Sequence, residues 1–206
     1  NTGENAIILK EGLPLGSFFG YVSEGVNVDT GDIVYKDLSG NGTIGPEDRT
    51  VIGCAQPDFT YGITNDFSWK GFTLSVFFQG SYGNQIFNAS RIDTEGMVDF
   101  RNQSVAVLRR WKRPGMHTDV PRSGNVENIH NSTRFVEDGG YLRLENLTLS
   151  YSLPKSLLFK AGIEKAQIYI TGQNLLTFTK YSGYDPEVNA YGSSSVALGV
   201  DYGTYP

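Results

Sequence analysis

Between Pro57 and Asn84 the chain reads PDFTYGITNDFSWKGFTLSVFFQGSYGN. Phe59, Tyr61, Ile63, Phe67 and Trp69 fall on one side of this run, with Thr60, Gly62, Thr64, Asp66 and Ser68 on the other. After Trp69-Lys70-Gly71, the residues Phe72, Leu74, Val76 and Phe78 resume the apolar row against Thr73, Ser75, Gln79 and Ser81. Period-two alternation in two runs joined by a short Gly-containing turn predicts an antiparallel β-hairpin. One face is aromatic and the other small or hydroxylated, which leaves two architectures. In a soluble sandwich the apolar face packs on a second sheet. In a membrane barrel it meets lipid, and the polar face lines a watery or plugged interior.

Other features narrow the function classes. The formal net charge of −5 provides no global positive field for collecting phosphate, so nucleic acid is not an expected partner. Cys54 is the one cysteine, which rules out an internal disulfide and a cysteine zinc cage. No stretch approaches the roughly 18 apolar residues of a transmembrane helix, but barrel strands need only about 9–11 residues each. The chain starts at Asn1 without a leader pattern, so it reads as a mature piece or a fragment. Plentiful Gly, Tyr and Phe, with few helix-forming runs, indicate a mostly β chain.

In chain order, Leu13–Gly25 reads as a first strand and Asp32–Lys36 as a short extended piece. Asp37–Asp48, DLSGNGTIGPED, follows the spacing of a twelve-residue calcium loop. Asp37, Ser39 and Asn41 take the first, third and fifth positions, Gly42 the sharp turn, Thr43 the backbone carbonyl position, and Asp48 the closing position. Hard oxygen ligands on a tight turn suit Ca²⁺, although a plain Asx-rich turn has the same composition. Few of these groups are charged, so the expected site is weak. Phe100–Trp111 reads as a short loop helix: Asp99 is its N-cap, Val105, Leu108 and Trp111 share a face, and Pro114-Gly115 is its stop. Arg109, Arg110, Lys112 and Arg113 form its solvated basic end. His117 and His130 read as loop residues.

Alternation returns over Phe135–Leu153. Leu142 and Leu144 keep one phase, and Leu147, Leu149, Tyr151 and Leu153 the other, so a β-bulge near Glu145-Asn146 brings all six to one face. Pro154–Lys165 is a compact connection. Ala166–Thr179 is a further strand, with Ile168, Ile170, Leu176 and Phe178 in phase, and a long loop follows from Tyr181. Connections are short at one end of these strands and long at the other, as in outer-membrane barrels.

The stretches GDIVYKDLSGNGTIGPEDRTVIG, PDFTYGITNDFSWKGFTLSVFFQGSYGNQIFN, STRFVEDGGYLRLENLTLSYSLP and IYITGQNLLTFTKYSGYDPEV, in this order, resemble the C-terminal part of SusC/RagA-type TonB-dependent outer-membrane transporters. The resemblance implies an all-β fold, with antiparallel strands forming part of a 22-stranded transmembrane barrel with long extracellular loops. It implies that residues 1–206 are a C-terminal portion of that barrel, about five strands, with the plug and final strand outside the chain. It further implies import of oligosaccharides or peptides through the outer membrane, with a SusD-like surface lipoprotein as lid and TonB as the energy link. On that reading Thr60, Thr64, Asp66, Thr73, Ser75 and Gln79 face the lumen. The alternative is a soluble β-sandwich carbohydrate-binding module with a structural calcium. No nucleophile elbow, His-x-x-x-His pair or phosphate loop argues for an enzyme.

Overall fold

The computed structural model of the chain describes residues 5–159, 162–188 and 198–203. In chain order the strands are β1 (Ile7–Ile8), β2 (Ser17–Gly20), β3 (Ser23–Val26), β4 (Ile33–Tyr35), β5 (Thr50–Cys54) and β6 (Phe59–Trp69). They continue with β7 (Phe72–Tyr82), β8 (Gln85–Asn88), β9 (Val136–Asp138), β10 (Tyr141–Ser152), β11 (Gln167–Thr179) and β12 (Val200–Asp201). Two short helices, α1 (Ser90–Glu95) and α2 (Lys155–Leu158), complete the main elements. The residues divide into two compact units. A sheet unit comprises Asp58–Gly83 and Gly140–Lys180, and a loop unit comprises Asn1–Pro57, Asn84–Gly139 and Tyr181–Pro206.

The sheet unit is a single antiparallel sheet in the order β11-β10-β7-β6. Its first turn is two residues, Lys70 (φ 46°) and Gly71 (φ 86°). Positive φ at both central positions is the type I′ geometry, whose twist matches that of the flanking strands. The register pairs Phe59 with Tyr82, Ile63 with Phe78, Phe67 with Leu74 and Trp69 with Phe72. Leu149 then pairs with both Leu74 and Ile170, and Leu144 with both Phe78 and Leu176. The register slips between Leu144 and Asn146, which is the bulge expected from the phase change in the sequence. Without that extra residue, Leu142 and Leu144 would face opposite to Leu147 and Leu149. The result is one continuous apolar face across four strands. It is open along the outer strands, where Phe67 is 61% exposed, Trp69 69%, Ile170 72% and Phe178 59%, and half-covered by its neighbours on β7 and β10, with Leu144 buried beside the bulge. The inner face of a sandwich would instead be buried, so the sandwich alternative does not describe this sheet.

The loop unit buries its apolar groups in three clusters. Phe18, Phe87, Ala89, Ile92, Phe135 and Val200 form the main one, edged by Ile7, Ile52 and Ile129. Met97, Val107 and Val120 form a second, and Ile86, Tyr181 and Val188 a third. Phe18, Ile86, Phe87 and Val200 come from the short sheets β1-β2-β5 and β12-β8-β9, Ile92 from α1, and most of the others from turns and loops. Asp32 ties distant loops together. Its carboxylate accepts from Arg122 Nε at 2.6 Å, Asn125 Nδ2 at 2.7 Å and Asn128 Nδ2 at 3.2 Å. The Asn128 side-chain oxygen in turn accepts from the Ile33 N–H at 2.8 Å. Burial raises the Asp32 carboxyl, but hydrogen bonds from Arg122, Asn125 and Asn128, with the Arg122 charge, outweigh it and hold the pKa below its usual value. The stability this adds is fully present above the ordinary carboxylate value near 4, and it is lost as pH falls through the depressed value.

Trp111 stacks on Gly31, where φ is +77° and an added Cβ would lie 2.4 Å from the indole. The indole N–H donates to the Val28 carbonyl at 2.9 Å. Gly31→Ala is therefore expected to destabilise the loop unit by about 2 kcal/mol, from backbone strain and the displaced ring. Faster tryptic cleavage after Lys112 and Arg122 in the folded protein would report it.

Two sequence expectations are corrected. Leu13–Gly25 is not a wall strand: it divides into β2 and β3, and Phe18 is fully buried in the loop-unit core. Four strands, not five, form the sheet. The strand expected over Tyr141–Leu153 forms as β10, while the alternating residues before it, Val136–Asp138, make the separate strand β9, which pairs with β8 in the loop unit. The helix expected over Phe100–Trp111 is a 3₁₀ turn at Val105–Arg109, capped by Ser104 Oγ, which accepts from the Ala106 N–H. The helix that does form in this region is α1. Parts of the Pro154–Lys165 connection and of the loop after Tyr181 lie outside the described residues.

Candidate functional site

Strand pairing places the six residues assigned to the lumen side on one face of the sheet. Thr60 lies opposite Ser81, Thr64 opposite Phe77, Asp66 opposite Ser75, and Gln79 opposite both Gly62 and Arg143. β10 and β11 extend this face with Thr148 opposite Thr171 and Arg143 opposite Thr177. Arg143 was missed in the sequence. It is buried, its Nε donates to Thr177 Oγ1 at 3.0 Å, and its guanidinium lies over the Tyr141 ring at 5.3 Å. Gln79 Nε2 donates to the Tyr141 hydroxyl at 3.3 Å. The phase of Leu142 and Leu144 was the available signal, because it puts Tyr141 and Arg143 on the polar face. Phe77 is the apolar exception there, with its ring close over Gly62.

The Asp37–Asp48 turn lies in the loop unit between β4 and β5, and its hydrogen bonding is almost wholly internal. Asp37 Oδ1 accepts from the Gly40 N–H at 2.6 Å and from Ser39 Oγ at 3.1 Å, and Oδ2 accepts from the Gly42 N–H at 2.8 Å. Asn41 Oδ1 accepts from the N–H and hydroxyl of Thr43, each at 2.8 Å. Asp48 is fully buried: Oδ1 accepts from the N–H groups of Leu38 and Ser39 at 2.9 and 2.8 Å, and Oδ2 from Gly45 at 2.8 Å. The Gly45 and Ser39 N–H groups hold the Asp48 carboxyl below its ordinary pKa. Calcium needs oxygen lone pairs turned toward one point. Here most of them face protein donors, so a cation enters only by displacing N–H groups. Among the described residues no three His, Cys, Asp or Glu side chains gather as a metal cluster. Protonation of Asp48 costs it part of its acceptor capacity, so the turn is expected to open as pH falls through the depressed Asp48 value, below the ordinary carboxylate range. Asp48→Ala is expected to open it at neutral pH, as read by amide exchange at Leu38, Ser39 and Gly45.

A polar recess of about 500 Å³ in the loop unit is the other candidate. Asn88 of β8, Ser90, Arg91 and Glu95 of α1, and Ser182 and Tyr184 after β11 contribute to its lining. Beside it runs a paired-charge network. Arg91 Nε and Nη2 donate to the two oxygens of Glu95 at 2.9 and 3.1 Å, and Nη1 donates to Glu137 Oε1 at 3.0 Å. Arg134 Nη2 donates to Glu95 Oε2 at 2.8 Å. Burial lowers the Arg91 pKa, but the hydrogen bonds and charges of Glu95 and Glu137 more than reverse this. Arg134 is shifted down, because burial and the like charge of Arg91 outweigh Glu95. Glu137 also accepts from the Ser182 N–H and hydroxyl, each at 2.9 Å. The recess thus presents hydroxyls, an amide and internally compensated charges, and its chemistry is that of polar recognition. Apart from the i,i+4 pair Arg91–Glu95, its links span 39 to 46 residues, which hid the network from sequence reading.

The exposed apolar face, the polar face with its buried arginine, and the long loops attached to the strands define a class: one section of wall from a large antiparallel barrel. Comparison with protein-family models returns no match. The chain is 39% identical to "TonB-dependent receptor P3" of Formosa agariphila, an alignment covering 97% of this chain and 22% of that protein. It is 27% identical to "TonB-dependent receptor SusC" of Bacteroides thetaiotaomicron, covering 96% of this chain and 19% of SusC. Among solved structures, a RagAB peptide transporter superposes with a TM-score of 0.77 at 30% identity, covering 92% of this chain and 21% of that one. The chain is homologous to TonB-dependent receptors of the SusC/RagA type and corresponds to one segment of them. It spans about a fifth of the length of these relatives.

Proposed function

We propose that this chain supplies wall strands and loops to an outer-membrane transporter that imports oligosaccharides or peptides, driven through TonB and assisted by a SusD-like surface lipoprotein. The observation that carries the reading is the four-stranded sheet with one exposed, continuous apolar face and one hydroxylated face. In water such a face is a liability, whereas against hydrocarbon it is the stable arrangement. The edges β6 and β11 carry backbone groups that hydrocarbon does not tolerate unpaired, so the remaining wall must come from further strands. Arg143, Gln79 and the threonines then border the interior, and the polar recess beside α1 is a place for nutrient contact.

The test is uptake in cells. Deletion of the gene encoding the full-length receptor is expected to abolish accumulation of a labelled oligosaccharide or peptide, and a protonophore is expected to do the same in the parent. Unchanged uptake of every tested nutrient in the deletion strain overturns the reading. The Asp37–Asp48 turn is proposed separately as a weak calcium site, with Asp37, Ser39, Asn41, Thr43 and Asp48 exchanging N–H contacts for the ion. Calorimetry comparing the parent with Asp37→Ala decides it: binding with a Kd of about 0.1–1 mM in the parent alone is expected. No binding by the parent ends it.

A further inference from the structure

The turn end of the sheet unit carries a feature that neither a smooth wall nor a plain loop requires. The β6–β7 turn and the end of β10 are joined there, with the Ser152 N–H donating to the Gly71 carbonyl at 2.8 Å. Leu153 then donates to the Ala166 carbonyl at 3.0 Å, closing the base of the connection that contains α2. Large apolar side chains stand out at this end: Phe159 is 87% exposed, and Leu157, Ile163 and Trp69 are also well exposed. Among the described residues of segments 69–71 and 154–166, Lys70, Lys155 and Lys165 are the basic groups and Glu164 the acidic one. Lys70 Nζ lies 4.8 Å from the centre of the Trp69 ring. An open recess of about 490 Å³ has Phe159 and Ile163 as its apolar lining, and Lys155 and Lys165 outnumber Glu164 in its charged lining.

Apolar anchors beside ammonium groups, in continuity with a wide apolar face, match the boundary between acyl chains and phosphates. Lysine stems lie along apolar surface while their heads reach an anionic layer. We propose that the α2 connection is a foot that binds anionic phospholipid, with the headgroup phosphate at Lys155 and Lys165 and the upper acyl chain against Phe159 and Ile163. This rests on the barrel reading above, because the foot has a leaflet to stand in only if the apolar face beside it meets lipid. The partner is a phospholipid rather than free phosphate because Phe159 and Ile163 give the recess an apolar wall beside its lysines.

The test uses the full-length receptor purified in detergent, with lipid retention followed by native mass spectrometry. Phosphatidylglycerol is the anionic probe, phosphatidylcholine the zwitterionic one, and inorganic phosphate the soluble competitor. Phosphatidylglycerol is expected to be retained in preference to phosphatidylcholine and to resist millimolar phosphate. Each lysine replaced by glutamine in Lys155→Gln and Lys165→Gln should weaken its retention about fivefold. Phe159→Ser should weaken both lipids. Equal retention of the two lipids by the parent, retention untouched by the lysine changes, or displacement by phosphate alone would each overturn the foot. Barrel integrity is read independently from the mobility shift of unheated protein on a denaturing gel. A parent with no such shift has failed the barrel reading itself, whereas a normal shift with no lysine dependence fails only the foot.

Discussion

Replacing Glu95 by alanine is expected to destabilise the loop unit by about 3–5 kcal/mol, because it leaves Arg91 and Arg134 buried beside one another without their shared carboxylate. The side chains of Glu95 and Arg134 are each only 8% exposed, so water cannot take over the lost contacts. Arg91 retains Glu137 at 3.0 Å, which makes Arg134 the group left most short of charge compensation. Glu95→Gln keeps the shape and one acceptor and should cost less, although the two like charges still face each other. The measurement is protease protection of the loop unit in the intact receptor through a urea titration. A midpoint for Glu95→Ala that matches the parent would show that the network contributes nothing net.

Ile63→Arg is expected to cost the folded barrel about 2–4 kcal/mol, the penalty for a cation placed midway across the lipid-facing band. Ile63 sits near the middle of β6, opposite Phe78, and is 54% exposed. The neighbouring Thr64→Asn, one residue along and on the other face, should cost under 1 kcal/mol. Refolding into lipid vesicles, scored by the mobility of unheated protein, separates the two substitutions. The contrast depends only on which way each side chain points, so a slip of one residue in register would reverse it.

The sheet was legible in the sequence to a degree that the loop unit was not, and the reason is physical. Wall strands are long and each meets two different environments, so their sequences alternate over eleven or more residues. The bulge at Glu145 was readable for the same reason, as a change of phase. Phe18, by contrast, packs on Phe87 and Phe135, partners about 70 and 120 residues away, and no local period announces such a cluster. Its neighbours Phe19 and Tyr21 resembled a wall strand, yet the chain leaves extended pairing there to bridge Ser132. Val105, Leu108 and Trp111 have helical spacing, but Val105 and Leu108 are exposed while Trp111 covers Gly31. In the Asp37–Asp48 turn the spacing of oxygen-bearing residues was clear, but the same spacing serves N–H groups of the turn itself. Arg143, and the links from Glu95 to Arg134 and from Arg91 to Glu137, depend on pairing that no short window contains.

The most direct test of the central claim is a scan of nitroxide probes along β6 and β7 in the full receptor, reconstituted in bilayers. Collisions with oxygen, which concentrates in lipid, and with a water-soluble nickel chelate would be compared residue by residue. The account predicts a two-residue period, with positions 63, 67, 74 and 78 oxygen-accessible and nickel-protected, and positions 64, 66, 73 and 75 the reverse or sheltered from both. Loss of the alternation, or apolar positions shielded from lipid oxygen, would contradict it.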